Sequence, residues 1–159
     1  MFYLKQKGQK QKTITTYIIK VLNGMAQGLF ASLLIGLIMK QIGTLTNIDL
    51  LVDFGTVAQS LMGPAIGAAV AYSVGAPPLG IFAAVAVGAL GAGTFTLVDG
   101  QMVAKIGEPV GALIASLVAA EVTKVLKGKT KVDIVILPLS AILVGGLVGF
   151  YLAPAITAF

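Results

Sequence analysis

Apolar stretches of about the length that crosses a hydrocarbon layer, roughly 20 residues, recur along this chain with scarcely a charge inside them. That pattern constrains the fold more than any other feature. Charge confined to the edges of apolar segments is the topology signal of an integral membrane protein. Composition agrees. Of 159 residues only 11% are charged and 57% are hydrophobic, with a mean hydropathy of +0.99. A soluble domain carries about 25% charged residues, so a water-soluble globule is excluded. The length fits one domain. The 20 Gly and 6 Pro fall inside apolar runs, where small residues let membrane helices pack closely. The chain has no Cys, His or Trp. Disulfides, thiolate nucleophiles, zinc chemistry and His-based catalysis therefore drop out.

All 11 basic residues are Lys, and the pI is near 9.6. A nucleic-acid partner is not expected, because the lysines gather at the ends of apolar stretches and not on a soluble domain. Residues 1–20 form a basic lead-in with Lys5, Lys7, Lys10, Lys12 and Lys20 and no acid. They are read as a cytoplasmic or interfacial segment ahead of a transmembrane domain over 21–159. Residues 21–39 are too long for a signal-peptide core and are taken as a retained first span. Over 48–62, Leu50, Leu51, Phe54, Val57, Ala58, Leu61 and Met62 follow the i, i+3, i+4 rule of a helix. Gly63-Pro64 interrupts that helix, and the apolar run resumes to residue 74, giving one broken span or an interfacial helix plus a half-span. Gly75-Ala76-Pro77-Pro78 is a turn. The third span covers 79–98, and 99–105 is a polar connection. Gly107-Glu108-Pro109 opens a fourth span ending near Leu126, with Pro where a helix start tolerates it. A basic loop over 127–131 precedes a fifth span over 132–152.

The expected fold is thus all-α, an integral membrane bundle of five transmembrane helices with breaks at Gly63-Pro64 and Gly107-Pro109. The lysines orient it. With the N-terminus inside, the inner side holds Lys5, Lys7, Lys10, Lys12, Lys20, Lys124, Lys127, Lys129 and Lys131, against Lys40 and Lys105 outside. The C-terminus then lies outside.

Polar groups within spans are costly and mark candidate sites. Glu108, at a helix start, reads equally as an acceptor for a ligand hydroxyl, a proton-linked group, or an ordinary N-terminal acid favoured by the helix dipole. Glu121 and Lys124, three apart, suit an interfacial ion pair. Asp133 reads as an interfacial anchor. Gly63-Pro64-Ala65-Ile66-Gly67 and Gly107-Glu108-Pro109-Val110-Gly111 echo each other, and transporters place broken helices at their binding sites. A packing kink is the plainer reading of Gly63, Pro64, Gly107 and Pro109. Gln59, Asn23 and Gln27 offer neutral donors and acceptors to a polar solute, or to neighbouring helices. Pairs spaced GxxxG occur at Gly24/Gly28, Gly63/Gly67, Gly107/Gly111 and Gly145/Gly149, which argues for a compact bundle. Met1, Phe2, Tyr3 and Leu4, followed by lysines, suit either an anionic leaflet or a solvated tail. No cofactor or metal site is expected, and no nucleophile–base pair suggests an enzyme.

Asn23-Gly24-Met25-Ala26-Gln27-Gly28-Leu29-Phe30-Ala31-Ser32-Leu33, the stretches over 63–79 and 107–146, and Gly128-Lys129-Thr130-Lys131-Val132-Asp133 resemble the membrane IIC-type subunit of the bacterial sugar phosphotransferase system. They are similar to its stand-alone branch, which includes proteins named as regulators of perfringolysin O. The resemblance implies a bacterial inner-membrane sugar permease component, or a non-transporting regulator or scaffold derived from it. It also implies a two-repeat design with five spans in each inverted half, of which this chain looks like one. Such a half needs a parallel homodimer or a second-half membrane chain as partner. The family's soluble parts carry phosphoryl groups on His or Cys, so this chain does not relay phosphate itself. A small channel is a third, weaker reading.

Overall fold

A computed structural model describes residues 2–129 and 132–157. Met1, and Thr130 and Lys131 of the expected basic loop, lie outside the described residues, as do the side chains of Phe2, Tyr3, Leu4 and Asp133. The chain begins with one long rod: α1 (Phe2–Leu29), a π-helical turn (Phe30–Leu34) and α2 (Ile35–Thr46). Its part from Lys12 to Thr46, 35 residues, is apolar enough to cross a membrane. At 1.5 Å per residue it is about 52 Å long, well beyond the expected span over 21–39. The rod carries no break near residue 20, where the lead-in was expected to end.

Asn47, at φ 56°, turns the chain, and its neighbour Ile48 donates its N–H to the Gly43 carbonyl at 2.9 Å. Asn tolerates this left-handed conformation better than most residues. α3 (Asp49–Ser60) then runs back along α2, and α4 (Met62–Ser73) follows at an angle of 52°. The expected interruption of this helix is therefore present, and Pro64 explains it. Its ring removes the N–H that would bond the Ser60 carbonyl and crowds that carbonyl, so the axis bends one turn earlier, at Leu61.

α5 (Pro78–Ala92) opens with Pro78 in its first turn and closes on Gly93 at φ 67°. Here the structure corrects two expectations. The third span does not reach Val98, and the fold is not purely helical. Phe95–Val98 (β1) and Gln101–Ala104 (β2) form an antiparallel hairpin, with Val98 opposite Gln101. Asp99 at φ 52° and Gly100 at φ 79° make its two-residue turn, the conformation that Asp-Gly favours. α6 (Pro109–Leu126) and α7 (Asp133–Thr157) complete the chain.

Among the described residues, Lys12–Thr46, Pro109–Leu126 and Ile134–Tyr151 are long and apolar enough to span a membrane, and the bent α3–α4 pair makes a fourth if it is one broken span and not a re-entrant loop. α5, with 15 residues, reaches only about 22 Å, short of a hydrocarbon core of about 30 Å. α5 packs against α4, α6 and α7 along one face, while Phe82, Val85 and Leu90 are exposed on the other. Its Ala83, Ala84, Val87 and Ala92 are buried.

The core is a seam of small residues. Ile66, Val70 and Ala71 of α4 are fully buried beside Ala84, Ala112 and Ala120. Glycines set the approach. A Cβ on Gly28 would lie 2.7 Å from Ile66 Cα, joining α1 to α4. A Cβ on Gly91 would lie 2.5 Å from the Gly111 carbonyl, joining α5 to α6. With lipid as the competing solvent, such contacts hold helices together by dispersion and shape.

Candidate functional site

Three helix ends meet around Ala92. α4 begins there: a Cβ on Gly63 would lie 2.8 Å from Ala92 Cβ and 2.9 Å from Thr94 Oγ1. α5 ends there, with Thr94 donating its N–H to the Ala89 carbonyl at 3.0 Å beyond the left-handed Gly93. α6 starts there: Glu108 donates its backbone N–H to the Ala92 carbonyl at 2.8 Å. Gly107, at φ 84°, packs so tightly that a Cβ would sit 2.6 Å from that same oxygen. Lys105 closes the hairpin by donating its N–H to the Thr94 carbonyl at 2.7 Å.

The structure thus brings together the two Gly/Pro motifs that the sequence paired, but they do different jobs. Gly63-Pro64 bends a helix. Gly107-Pro109 breaks none; it leads from the hairpin into α6. Glu108 is the N-cap of α6, and its Oε1 and Oε2 accept from the N–H groups of Val110 at 2.9 Å and Gly111 at 2.5 Å. Capping residues satisfy donors that a helix start otherwise leaves free. A carboxylate has about four acceptor positions, so half of its capacity is used here.

The other candidates do not gather at this junction. Gln59 is buried near the end of α3, against Gly36 of α2. Asn23 and Gln27 are exposed on α1, next to the glycines that face α4. Glu121 and Lys124 do pair, at 3.4 Å. Sequence reasoning missed the third member of that group: Tyr17 of α1 donates its hydroxyl to Glu121 Oε1 at 2.5 Å. Sequence distance hides a contact between residues 104 apart.

Two buried hydroxyls were also missed. Thr94 is 1% exposed and Ser116 fully buried, and neither side-chain oxygen has a hydrogen-bond partner among the described residues. Thr94 faces Gly63, while Ser116 lies 3.0 Å from where a Cβ of Gly67 would be. They flank the first turns of α4. An unpaired buried hydroxyl costs about 1–3 kcal/mol, so each leaves an unmet hydrogen bond inside the bundle. Neither Ser116 within the Ala-rich α6 nor Thr94 just beyond the end of α5 gives warning of it in sequence.

The family model for Phosphotransferase system, EIIC, matches residues 19–159. That range includes every stretch quoted above for the resemblance. No curated protein and no solved structure matches the chain.

Proposed function

Because the chain belongs to the phosphotransferase system EIIC family, we propose that it is a IIC-type permease component, a half-transporter for a sugar or another small polar solute. The family supports a multi-pass membrane protein of sugar transport, and the apolar helices agree with it. In this reading five helices cross a bacterial inner membrane, with α5 as the short member and residues 1–20 at the inner surface. The N-terminus lies inside and the C-terminus outside. A parallel second copy, or a second-half chain, completes the solute path.

The observation that carries the reading is the junction at Ala92. The kink of the bent α3–α4 pair lies where α5 ends and α6 begins, and the Thr94 hydroxyl has no partner among the described residues. Helix starts offer free N–H groups to a polar solute, and broken helices serve that role in transporters. Glu108 and Thr94 are its nearest contacts, Gln59 stands at the end of α3, and Asn23 and Gln27 line the face toward the partner. Titration of the purified, reconstituted chain with radiolabelled hexoses, pentoses and polyols tests this. We expect saturable binding of one class, weakened about tenfold by Thr94→Val, as for one lost hydrogen bond. No saturable binding of any class defeats it.

Two observations favour a second reading, a non-transporting regulator or scaffold. Both Glu108 oxygens are engaged in capping, and three surface grooves are lined mostly by apolar groups. On that reading Glu108→Gln leaves the phenotype intact, while substitutions over 127–131 disrupt it. The reverse pattern eliminates it.

A further inference from the structure

Between α1 and α6 lies an apolar groove of about 560 Å3 that the solute reading does not use. Tyr17 forms one wall, and Leu117, Val118, Glu121, Val122, Val125 and Leu126 form the other. Its volume falls within the roughly 300–1,000 Å3 of ordinary ligand sites. The two helices touch only sparsely, and the Tyr17–Glu121 hydrogen bond ties them together at one level.

The groove changes character along its length. Apart from the hydrogen-bonded Tyr17 hydroxyl and Glu121 carboxylate, its walls are apolar up to Val125 and Leu126. Lys127 and Lys129 follow and are exposed, as is Lys124 just before Val125. Residues 120–133 carry Lys124, Lys127, Lys129 and Lys131 against the acids Glu121 and Asp133. Glu121 is already engaged by the Tyr17 hydroxyl and by Lys124. No ion pair of Lys127 or Lys129 occurs among the described residues. A largely apolar trough ending in exposed cations complements one kind of molecule, an amphiphile with an acyl chain below and a negative phosphate above. Lys/Arg clusters at a membrane edge attract anionic lipid in this way, and a phenol beside them suits the interface.

We propose that this groove is a specific site for one anionic phospholipid, its acyl chain along Val118 and Val122 and its phosphate on Lys127 and Lys129. The lipid fills the gap between α1 and α6 and holds α1 against the bundle at the end opposite the Ala92 junction. The site is independent of whether the chain moves a solute.

Native mass spectrometry of the detergent-solubilised protein, with phosphatidylglycerol or phosphatidylcholine of matched chains, tests this. One phosphatidylglycerol per chain is expected to be retained, with phosphatidylcholine lost. Lys127→Ala and Lys129→Ala should each weaken retention about fivefold. Val125→Trp, at an exposed wall position, should displace the lipid while circular dichroism stays unchanged. Equal retention of both lipids overturns the proposal. So does retention that survives Val125→Trp, which would mean a diffuse surface attraction, or full competition by soluble glycerol phosphate, which would mean an anion site without a chain. A failure here leaves the solute-binding assay untouched, so the two readings fail separately.

Discussion

At Gly67 the backbone of α4 lies so near α5 that a Cβ would overlap the Ala84 carbonyl oxygen. That oxygen belongs to a helix and cannot give way. Gly67→Ala is expected to destabilise the fold by about 1–3 kcal/mol, the usual cost of overpacking. Gly146 is the control, because a Cβ there meets only the mobile end of Leu90 at 3.3 Å. Gly146→Ala should stay within about 0.5 kcal/mol. Thermal unfolding of the two variants in one detergent compares them; equal loss would show that the glycine seam is not what sets the packing. At Glu108 the residue-scale effect is capping. Glu108→Ala should cost about 0.5–2 kcal/mol by the same measurement, whatever it does to solute binding. The GxxxG spacing made the glycines visible in sequence, yet not their partners, since spacing identifies a face and says nothing of what meets it. Gly107 shows the limit: it has the spacing but serves a turn, at φ 84°.

Helices α3 and α4 were legible as one interrupted span, because a proline inside a periodic apolar run has a fixed steric consequence. Pro64→Ala restores the missing N–H toward the Ser60 carbonyl. It should relax the 52° bend and lengthen the distance between spin labels at Asp49 and Tyr72 by about 3 Å, given helices rising 1.5 Å per residue. An unchanged distance would mean that tertiary packing, and not Pro64, holds the kink. The hairpin was the element most clearly missed. Its signal, Asp99-Gly100 between two β-rich tetrapeptides, is present in sequence. It was masked because Phe95, Leu97 and Val98 continue an apolar run that reads as more helix. The left-handed Gly93 decides otherwise, and its role rests on the close fit of Ala92 against Gly63 and Gly107.

At the scale of the molecule, α6 separates the hairpin from the basic loop. It is a single helix of 18 residues, about 27 Å long, with the hairpin at one end and Lys127 and Lys129 at the other. Cysteines placed at Asp99 and Lys129 should therefore react with an impermeant maleimide from opposite sides of sealed cells. With the lysines inside, Asp99→Cys labels in intact cells and Lys129→Cys only after permeabilisation. Labelling of both from one side would remove the topology and the assignment of leaflets. This arrangement does not depend on whether α5 crosses the whole bilayer.

What the sequence determined by itself is the membrane as solvent and the helical habit. These follow from local quantities: apolar length, the placement of charge at its edges, and the fixed torsion of proline. Tertiary structure decided what those quantities cannot encode. It sent Tyr17 to Glu121, left the hydroxyls of Thr94 and Ser116 unpaired, and gathered three helix ends at Ala92. Each depends on how closely separate helices approach, and that distance is set by the fit of small side chains against one another across the bundle.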